Sequence, residues 1–226
     1  SAVVGTGDTG DLTLNVTERL SLSGFYPGWR FSHGFPTVNG NSAILTSSIG
    51  TGSVGNIWIY TKELDFNIAA ISTNAYGIGR GGNITIQAQS IRMLKGSIIS
   101  SSTYQTAPAG NIKIQVAVEL YLAGRRPISI RLYGREWENL PSVILSSTKE
   151  GSGSGGLVDI QANEVILTDG GVISADSSYN STGDAGDIRL QANRLQLTDG
   201  GEITTSAQQA GGGDIRLLVA NQLYLL

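Results

Sequence analysis

The residues best suited to binding a ligand lie in two short stretches of this 226-residue chain. Residues 25–38 are rich in aromatic side chains and include the single histidine, and residues 125–140 carry four arginines against two glutamates. Aromatic rings stack on sugar rings, and an arginine fork binds a carboxylate through two hydrogen bonds. The two stretches therefore suit an acidic glycan. The candidate binding residues are Tyr26, Trp29, Arg30, His33, Arg125, Arg126, Tyr133, Arg135 and Trp137.

A structural interpretation of the same stretches competes with the ligand interpretation. Insertions in a repeat protein often pack on themselves, cover the outside of the repeats, or fill a junction with a neighbouring subunit. His33 on its own does not make a zinc site, because the chain has no cysteine and no second histidine. We expect no metal and no cofactor.

The rest of the chain is an internal repeat of about 28 residues, and it must position these stretches. Each copy starts with a short motif whose first residue is glycine. Residues 186–201 align with residues 156–171 without a gap. The leading glycines are Gly10, Gly55, Gly82, Gly110, Gly156, Gly186 and Gly213. Repeats of this length form stacked units that bury a core only against their neighbours.

Each copy has the two-residue period of β-strands. Apolar residues alternate with polar ones in two successive segments, and a third segment follows a glycine turn. Three strands and three turns per copy describe one coil of a parallel β-helix, in which equivalent residues stack. Two columns illustrate the pattern: Leu12, Ile57, Ile84, Ile112, Val158, Ile188 and Ile215; and Leu20, Leu64, Ile91, Leu120, Val165, Leu195 and Leu223.

A polar column precedes the first strand of every coil but one. Stacked amides at a turn can hydrogen-bond from coil to coil, so we expect this column to be structural. Its members are Asp11, Asn56, Asn83, Asn111, Leu157, Asp187 and Asp214.

Two of the intervals between leading glycines are longer than the rest, at 45 and 46 residues. Both excesses fall between the second and third strands, so residues 25–38 and 125–140 are predicted to project from one corner. Coils are about 4.8 Å apart, which places the bases of the two loops roughly 14 Å apart. They would flank a shallow trough above the turns near Asn67 and Lys95.

The composition excludes several classes of function. A net charge of −3 argues against a nucleic-acid surface, and no apolar run reaches the roughly 20 residues that a membrane span requires. The absence of cysteine excludes disulfides and thiolate chemistry, and it suits a long exported chain. We interpret residues 1–226 as one β-helix domain, expected to be a segment of a longer exoprotein.

The repeat resembles those of filamentous-haemagglutinin-like exoproteins, and most closely those of cyanobacterial surface proteins. The resemblance rests on Gly-Asn-Ile-Thr-Ile-Gln-Ala from Gly82 and on Leu-Thr-Asp-Gly-Gly-Val-Ile-Ser-Ala from Leu167. It implies a right-handed parallel β-helix, export by two-partner secretion through an outer-membrane partner, and an adhesive or structural role at the cell surface.

Catalytic patterns are weak. Glycoside hydrolysis requires two carboxylates about 5 to 9.5 Å apart, and the outward stripes of the first two strands carry one carboxylate each. Asp169 and Asp199 are expected to stack one coil apart, but each opens an Asp-Gly-Gly turn, a position that favours aspartate. The glycine run at residues 77–82 matches a dinucleotide fingerprint in letters only, because a strand follows it rather than a helix. We expect no enzyme.

The sequence therefore predicts an all-β, right-handed parallel β-helix of about six to seven coils with two corner loops. The predicted function is that of a secreted, extracellular surface segment that is structural or adhesive. Two alternatives stay open: a carbohydrate-binding module for acidic glycans, and a protomer that stacks end to end in an extracellular filament or surface layer. The expected partners are a glycan or another cell-surface ligand, further copies of the chain, and the secretion partner.

Overall fold

The structure, a computed structural model, describes residues 2–3, 6–24, 30–32, 35–37, 42–132, 135–178 and 180–226. All regular secondary structure in these ranges is β-strand. The strands are β1 (Ala2–Val3), β2 (Leu12–Asn15), β3 (Arg19–Ser23), β4 (Arg30–Ser32), β5 (Phe35–Thr37), β6 (Ala43–Ser48), β7 (Ile57–Tyr60), β8 (Glu63–Asn67), β9 (Ala70–Ala75), β10 (Ile84–Leu94), β11 (Ile98–Thr103), β12 (Ile112–Ala123), β13 (Arg125–Leu132), β14 (Arg135–Pro141), β15 (Val143–Lys149), β16 (Val158–Leu167), β17 (Val172–Ser178), β18 (Ile188–Leu197), β19 (Glu202–Thr204) and β20 (Ile215–Leu225).

Two parallel sheets run along the molecule. One has the order β1-β6-β9-β11-β15-β17-β19, and the other β2-β7-β10-β12-β16-β18-β20 with β3 and β8 alongside. Every neighbour in these sheets comes from the adjacent repeat, so the chain winds as a β-solenoid of about six turns. The predicted parallel β-helix is confirmed. Its right-handed sense stays a prediction, based on the resemblance and on the general preference for right-handed crossovers.

The stacking register agrees with the sequence columns. Leu12 pairs with Ile57, Ile57 with Ile84, and the column continues without a slip to Ile215. In the middle coils these residues form one continuous apolar core with almost no solvent exposure. Truncating a large side chain to alanine in such a core costs about 2 to 5 kcal/mol, so each member of a column contributes strongly to stability.

The first two strands of a repeat are separate only in the first two coils. From β10 onward they join into single bent strands of 10 to 12 residues. The pairing register shifts at the bend, between Ala88 and Ser90 on β10 and between Val116 and Glu119 on β12. The prediction of three separate strands is therefore wrong for the later coils, because strand pairing continues through the bend.

The polar column forms a ladder, as predicted, and most of its bonds run from a side chain to the backbone of the next coil. The amide of Asn83 donates to Asn56 Oδ1 at 2.9 Å, and the amide of Asn111 donates to Asn83 Oδ1 at 2.8 Å. The amide of Leu157 donates to Asn111 Oδ1 at 2.8 Å. The leucine side chain has no acceptor for the backbone amide of Asp187, so the ladder is interrupted there. The ladder resumes where the amide of Asp214 donates to Asp187 Oδ1.

Both insertions leave the same corner, as predicted, and both contain an antiparallel hairpin. Strand β4 pairs with β5 inside the first, and β13 pairs with β14 inside the second. The turns at Asn67 and Lys95 lie at this corner in the two intervening coils, with left-handed backbone at Ile68 and Lys95. The predicted trough between the loops is not tested, because much of residues 25–38 lies outside the described ranges.

We expect the substitution Leu157→Asn to raise the free energy of unfolding by about 1 kcal/mol, because it gives the amide of Asp187 the acceptor it lacks. Asn83→Ala should lower it by about 1 kcal/mol, since the amide of Asn111 loses its acceptor. Asn193→Ala is the control, because it removes a single bond between exposed side chains. Urea unfolding measures all three. If the ladder contributes nothing to stability, Asn83→Ala and Asn193→Ala will have the same free energy of unfolding.

Candidate functional site

Most of the predicted binding residues lie in the two insertions, and several of them fall outside the described residues. Tyr26, Trp29, His33 and Tyr133 are outside the described residues. For three others only the backbone is described, with Arg30 paired to Thr37, Arg135 to Leu132, and Trp137 to Ile130. Their proposed role in binding a glycan stays a prediction.

Arg125 and Arg126 are described, and they anchor the second hairpin to the solenoid. The exposed guanidinium of Arg125 lies across the Asp-Gly-Gly turn of the next coil, in the space that a side chain on Gly170 would need. Arg126 is buried, and its β-carbon packs against Gly96 of the preceding coil. Burial lowers the pKa of Arg126 from its ordinary value. Of this pair, Arg125 is the one displayed to solvent.

A groove at the bend of the long strands is a second candidate, and it was not predicted. It has a volume of about 880 Å³, is open to solvent, and crosses five consecutive coils. Strands β10, β12, β16, β18 and β20 all contribute to it. It is lined by Gln87, Ala88, Gln115, Val116, Ala117, Gln161, Ala162, Asn163, Gln191, Ala192, Asn193, Leu218, Val219 and Ala220.

One wall of the groove is a stack of glutamine side chains. Gln87 Nε2 donates to Gln115 Oε1 at 2.9 Å, and Gln115 Nε2 donates to Gln161 Oε1 at 3.3 Å. Gln191 continues the column on β18. On the other wall, Asn193 Nδ2 donates to Asn163 Oδ1 at 2.8 Å. These bonds orient the side-chain amides of Gln87, Gln115, Gln161, Asn163 and Asn193.

The groove has hydrogen-bond donors and acceptors suited to a polymer that carries many hydroxyl groups. A primary amide has two N–H donors and an oxygen with two lone pairs, and the ladder uses only part of this capacity at each level. Small apolar residues line the groove at the bend, where Ala88 and Ala162 are partly buried and Ala192 belongs to the core. Tyr60 occupies the glutamine position one coil before Gln87 and exposes part of its ring. Amides repeat about every 4.8 Å along such a surface.

The groove was not predicted from the sequence, in which the outward-facing residues were considered only as candidates for catalysis. The signal was present, since glutamine recurs at the same repeat position in four consecutive coils, at 87, 115, 161 and 191. What the sequence does not show is the bend between the two halves of the long strands, where the groove lies.

Lys149 on β15 is the most unusual ionisable residue that the structure describes. It is 1% exposed, its Nζ lies 3.2 Å from the Tyr104 hydroxyl and 4.3 Å from the centre of the Tyr104 ring, and Tyr104 stacks on Tyr76 at 4.7 Å. Burial lowers the pKa of Lys149 well below its ordinary value of 10.5, opposed by the charges of Glu150 and Asp176. An amine enclosed in this way is closed to a substrate, so we interpret it as part of the packing.

Metal and catalytic groupings are sparse in the described ranges. No set of three or more His, Cys, Asp or Glu residues there is arranged to hold a metal ion. Asp169 and Asp199 adopt left-handed turn conformations, and Asp199 Oδ2 accepts a hydrogen bond from Thr168. Within the same ranges, the search for a helix able to cross a membrane finds none.

Comparison with known proteins finds no match: no family model, no curated protein and no solved structure is significantly similar to this chain. The resemblance to haemagglutinin-like exoproteins therefore stays a prediction from the repeat phrases.

Replacing Lys149 with methionine should maintain or raise the free energy of unfolding at neutral pH, because it removes a buried charge at nearly constant volume. In the native chain the unfolded lysine binds more protons than the folded one between its lowered pKa and 10.5. Stability should therefore rise with pH through that range, and this contribution should vanish in Lys149→Met. Urea unfolding at several pH values measures the difference, with the exposed Lys113→Met as control. Identical pH profiles for all three proteins would contradict the burial argument.

Proposed function

We propose that the chain is a structural and adhesive segment of a secreted, haemagglutinin-like exoprotein at the cell surface. It acts as a stiff extended spacer that presents contact sites on its sides and at one corner. The role is non-catalytic. Export through an outer-membrane partner and the extracellular location follow from the resemblance of the repeats.

The observation that carries this proposal is the stacking of equivalent residues in successive coils from β2 to β20. Each coil is fastened to the next by parallel strand pairing on two sheets and by apolar columns. Seven levels at about 4.8 Å each extend roughly 30 Å, with every level held by its neighbours. A fold of this kind places surface groups at fixed intervals along a line, which suits attachment to an extended surface or polymer.

The groove supports carbohydrate binding as a second candidate function. Amide walls and an apolar floor match the hydroxyl edges and the C–H faces of a sugar chain. Successive amides along the groove are about 4.8 Å apart, so an extended chain lying in it meets several amides at once. The groove lining contains no charged side chain, so it suits a neutral chain, whereas the arginine-rich second insertion suits an acidic one.

The adhesive role predicts that the intact chain binds acidic polysaccharides on a glycan array. The double substitution Trp29→Ala with Trp137→Ala should reduce that binding at least tenfold, since a lost stacking contact costs about 1 kcal/mol or more. Trp58→Ala is a control, because Trp58 lies on the outward face of β7 rather than in an insertion. If the double variant binds as tightly as the native chain, the two insertions do not form the binding site.

The groove predicts binding of a neutral linear polysaccharide, measured by affinity electrophoresis. Substituting Gln115→Leu and Gln161→Leu together should weaken that binding by about tenfold or more, through loss of two hydrogen-bonding levels. Gln196→Leu provides the matched control, because Gln196 faces outward on the other half of β18, away from the groove. If the control and the double variant weaken binding equally, the groove is not the site.

A further inference from the structure

Two aromatic side chains lie next to each other on the outward face of β7. Trp58 and Tyr60 are separated by one residue, so both face away from the core, whereas Ile57 and Ile59 on the same strand are fully buried. Tyr60 is 36% exposed and Trp58 is partly exposed. Strand β7 has β2 on one side and β10 on the other, so these rings lie on the side of the solenoid.

The four residues that flank this pair in register are uncharged, and their side chains can form hydrogen bonds. They belong to the coil before β7 and the coil after it, about 4.8 Å away on each side. The register places Thr13 and Thr85 beside Trp58, and Asn15 and Gln87 beside Tyr60. We call these six residues the aromatic patch.

The aromatic patch continues the glutamine stack of the groove. Tyr60 pairs with Gln87, and Gln87 both lines the groove and bonds to Gln115. Tyr60 therefore lies one coil beyond the last glutamine of the stack, in the same row of outward side chains. A polymer that follows the glutamine stack reaches the Tyr60 ring in its next step along the solenoid.

The patch supplies a type of contact that the groove lining lacks. The residues that line the groove are amides and small or aliphatic side chains, without an aromatic ring. An aromatic face packs against the C–H face of a sugar ring, and the amides of Asn15 and Gln87 on either side of Tyr60 can bond to the sugar hydroxyls. Because none of the six residues is charged, the patch suits a neutral sugar and has no partner for a carboxylate or sulfate group.

We propose that the aromatic patch is the subsite where one ring of a neutral polysaccharide stacks, while the neighbouring units of the same polymer lie along the groove. Tyr60 provides the stacking face, and Trp58 borders the same sugar ring. The inference rests on the carbohydrate-binding role proposed for the groove, and it identifies the residues that recognise a sugar ring as opposed to any hydroxyl-bearing polymer.

The first test is affinity electrophoresis of the intact chain in gels that contain a soluble glucan or a mannan. Tyr60→Leu should weaken binding about fivefold, because a stacking contact is lost. Tyr60→Phe keeps the ring and should bind within about twofold of the native chain. Tyr121→Leu is the matched control, since Tyr121 is a partly exposed tyrosine on the outward face of the other half of β12. Trp58→Ala should also weaken this binding, although it leaves the binding of acidic polysaccharides unchanged.

A second measurement reports contact at the patch directly. The chain has three tryptophans, so Trp29→Phe with Trp137→Phe leaves Trp58 as the single one. Saturation with the polysaccharide that binds in the gels should shift the Trp58 emission to shorter wavelength, because a bound sugar excludes water from the indole ring.

The two measurements separate failure of the patch from failure of the groove. Equal binding by the native chain and Tyr60→Leu, with unchanged Trp58 emission, would overturn the patch. The groove would still be the site if Gln115→Leu with Gln161→Leu weakened that binding. If neither neutral polysaccharide binds the native chain, both the patch and the groove proposal are wrong.

Discussion

Direct stacking of equivalent residues one coil apart is the constraint on which the whole structure depends. It requires glycine at positions such as Gly55 and Gly82, where any side chain would strike the carbonyl group of the coil before it. It also keeps the inward positions of the first two strands of each repeat apolar at each level, as in the column from Leu12 to Ile215, since a polar member there would face apolar neighbours both above and below. Because all neighbours are supplied by the adjacent repeats, stability grows by addition of coils rather than by closure of a single globular core.

Polar groups follow the same rule of repetition, with different consequences inside and outside. On the outside, amides at successive levels bond to one another, as in the Asn56–Asn83 ladder and the Gln87–Gln115 stack. Inside, serine and threonine hydroxyls bond to the carbonyl groups of the leading glycines, as Thr73 does to Gly82 at 2.7 Å. The side-wall surface is therefore a set of rows at a fixed interval, and this supports the proposed role in contacting long polymers and extended surfaces.

The fold was predictable from the sequence because the constraint is local and repeated. The alternation of apolar and polar residues around Ile84 and Ile86, compared across the repeats, was sufficient to predict the columns of stacked residues. The same comparison predicted the corner that carries the insertions and the ladder of polar residues. The site was less predictable. The groove depends on the bend where Ala88 pairs onward through an irregular register, and no residue type marks that curvature. The burial of Lys149 was not predictable either, because Tyr104, which packs over it, belongs to a neighbouring coil and not to the adjacent sequence.

The most direct test of the account is cross-linking between engineered cysteines, since the native chain has none. Lys113 and Asp159 face outward and pair in register on β12 and β16, which puts their Cα atoms about 4.8 Å apart and within the range of a disulfide. The pair Lys113→Cys with Asp159→Cys should oxidise to an intramolecular disulfide. Lys113→Cys with Gln161→Cys, displaced by two residues, lies beyond that range and should keep both thiols free. Efficient oxidation of the displaced pair with free thiols in the registered pair would contradict the stacking register.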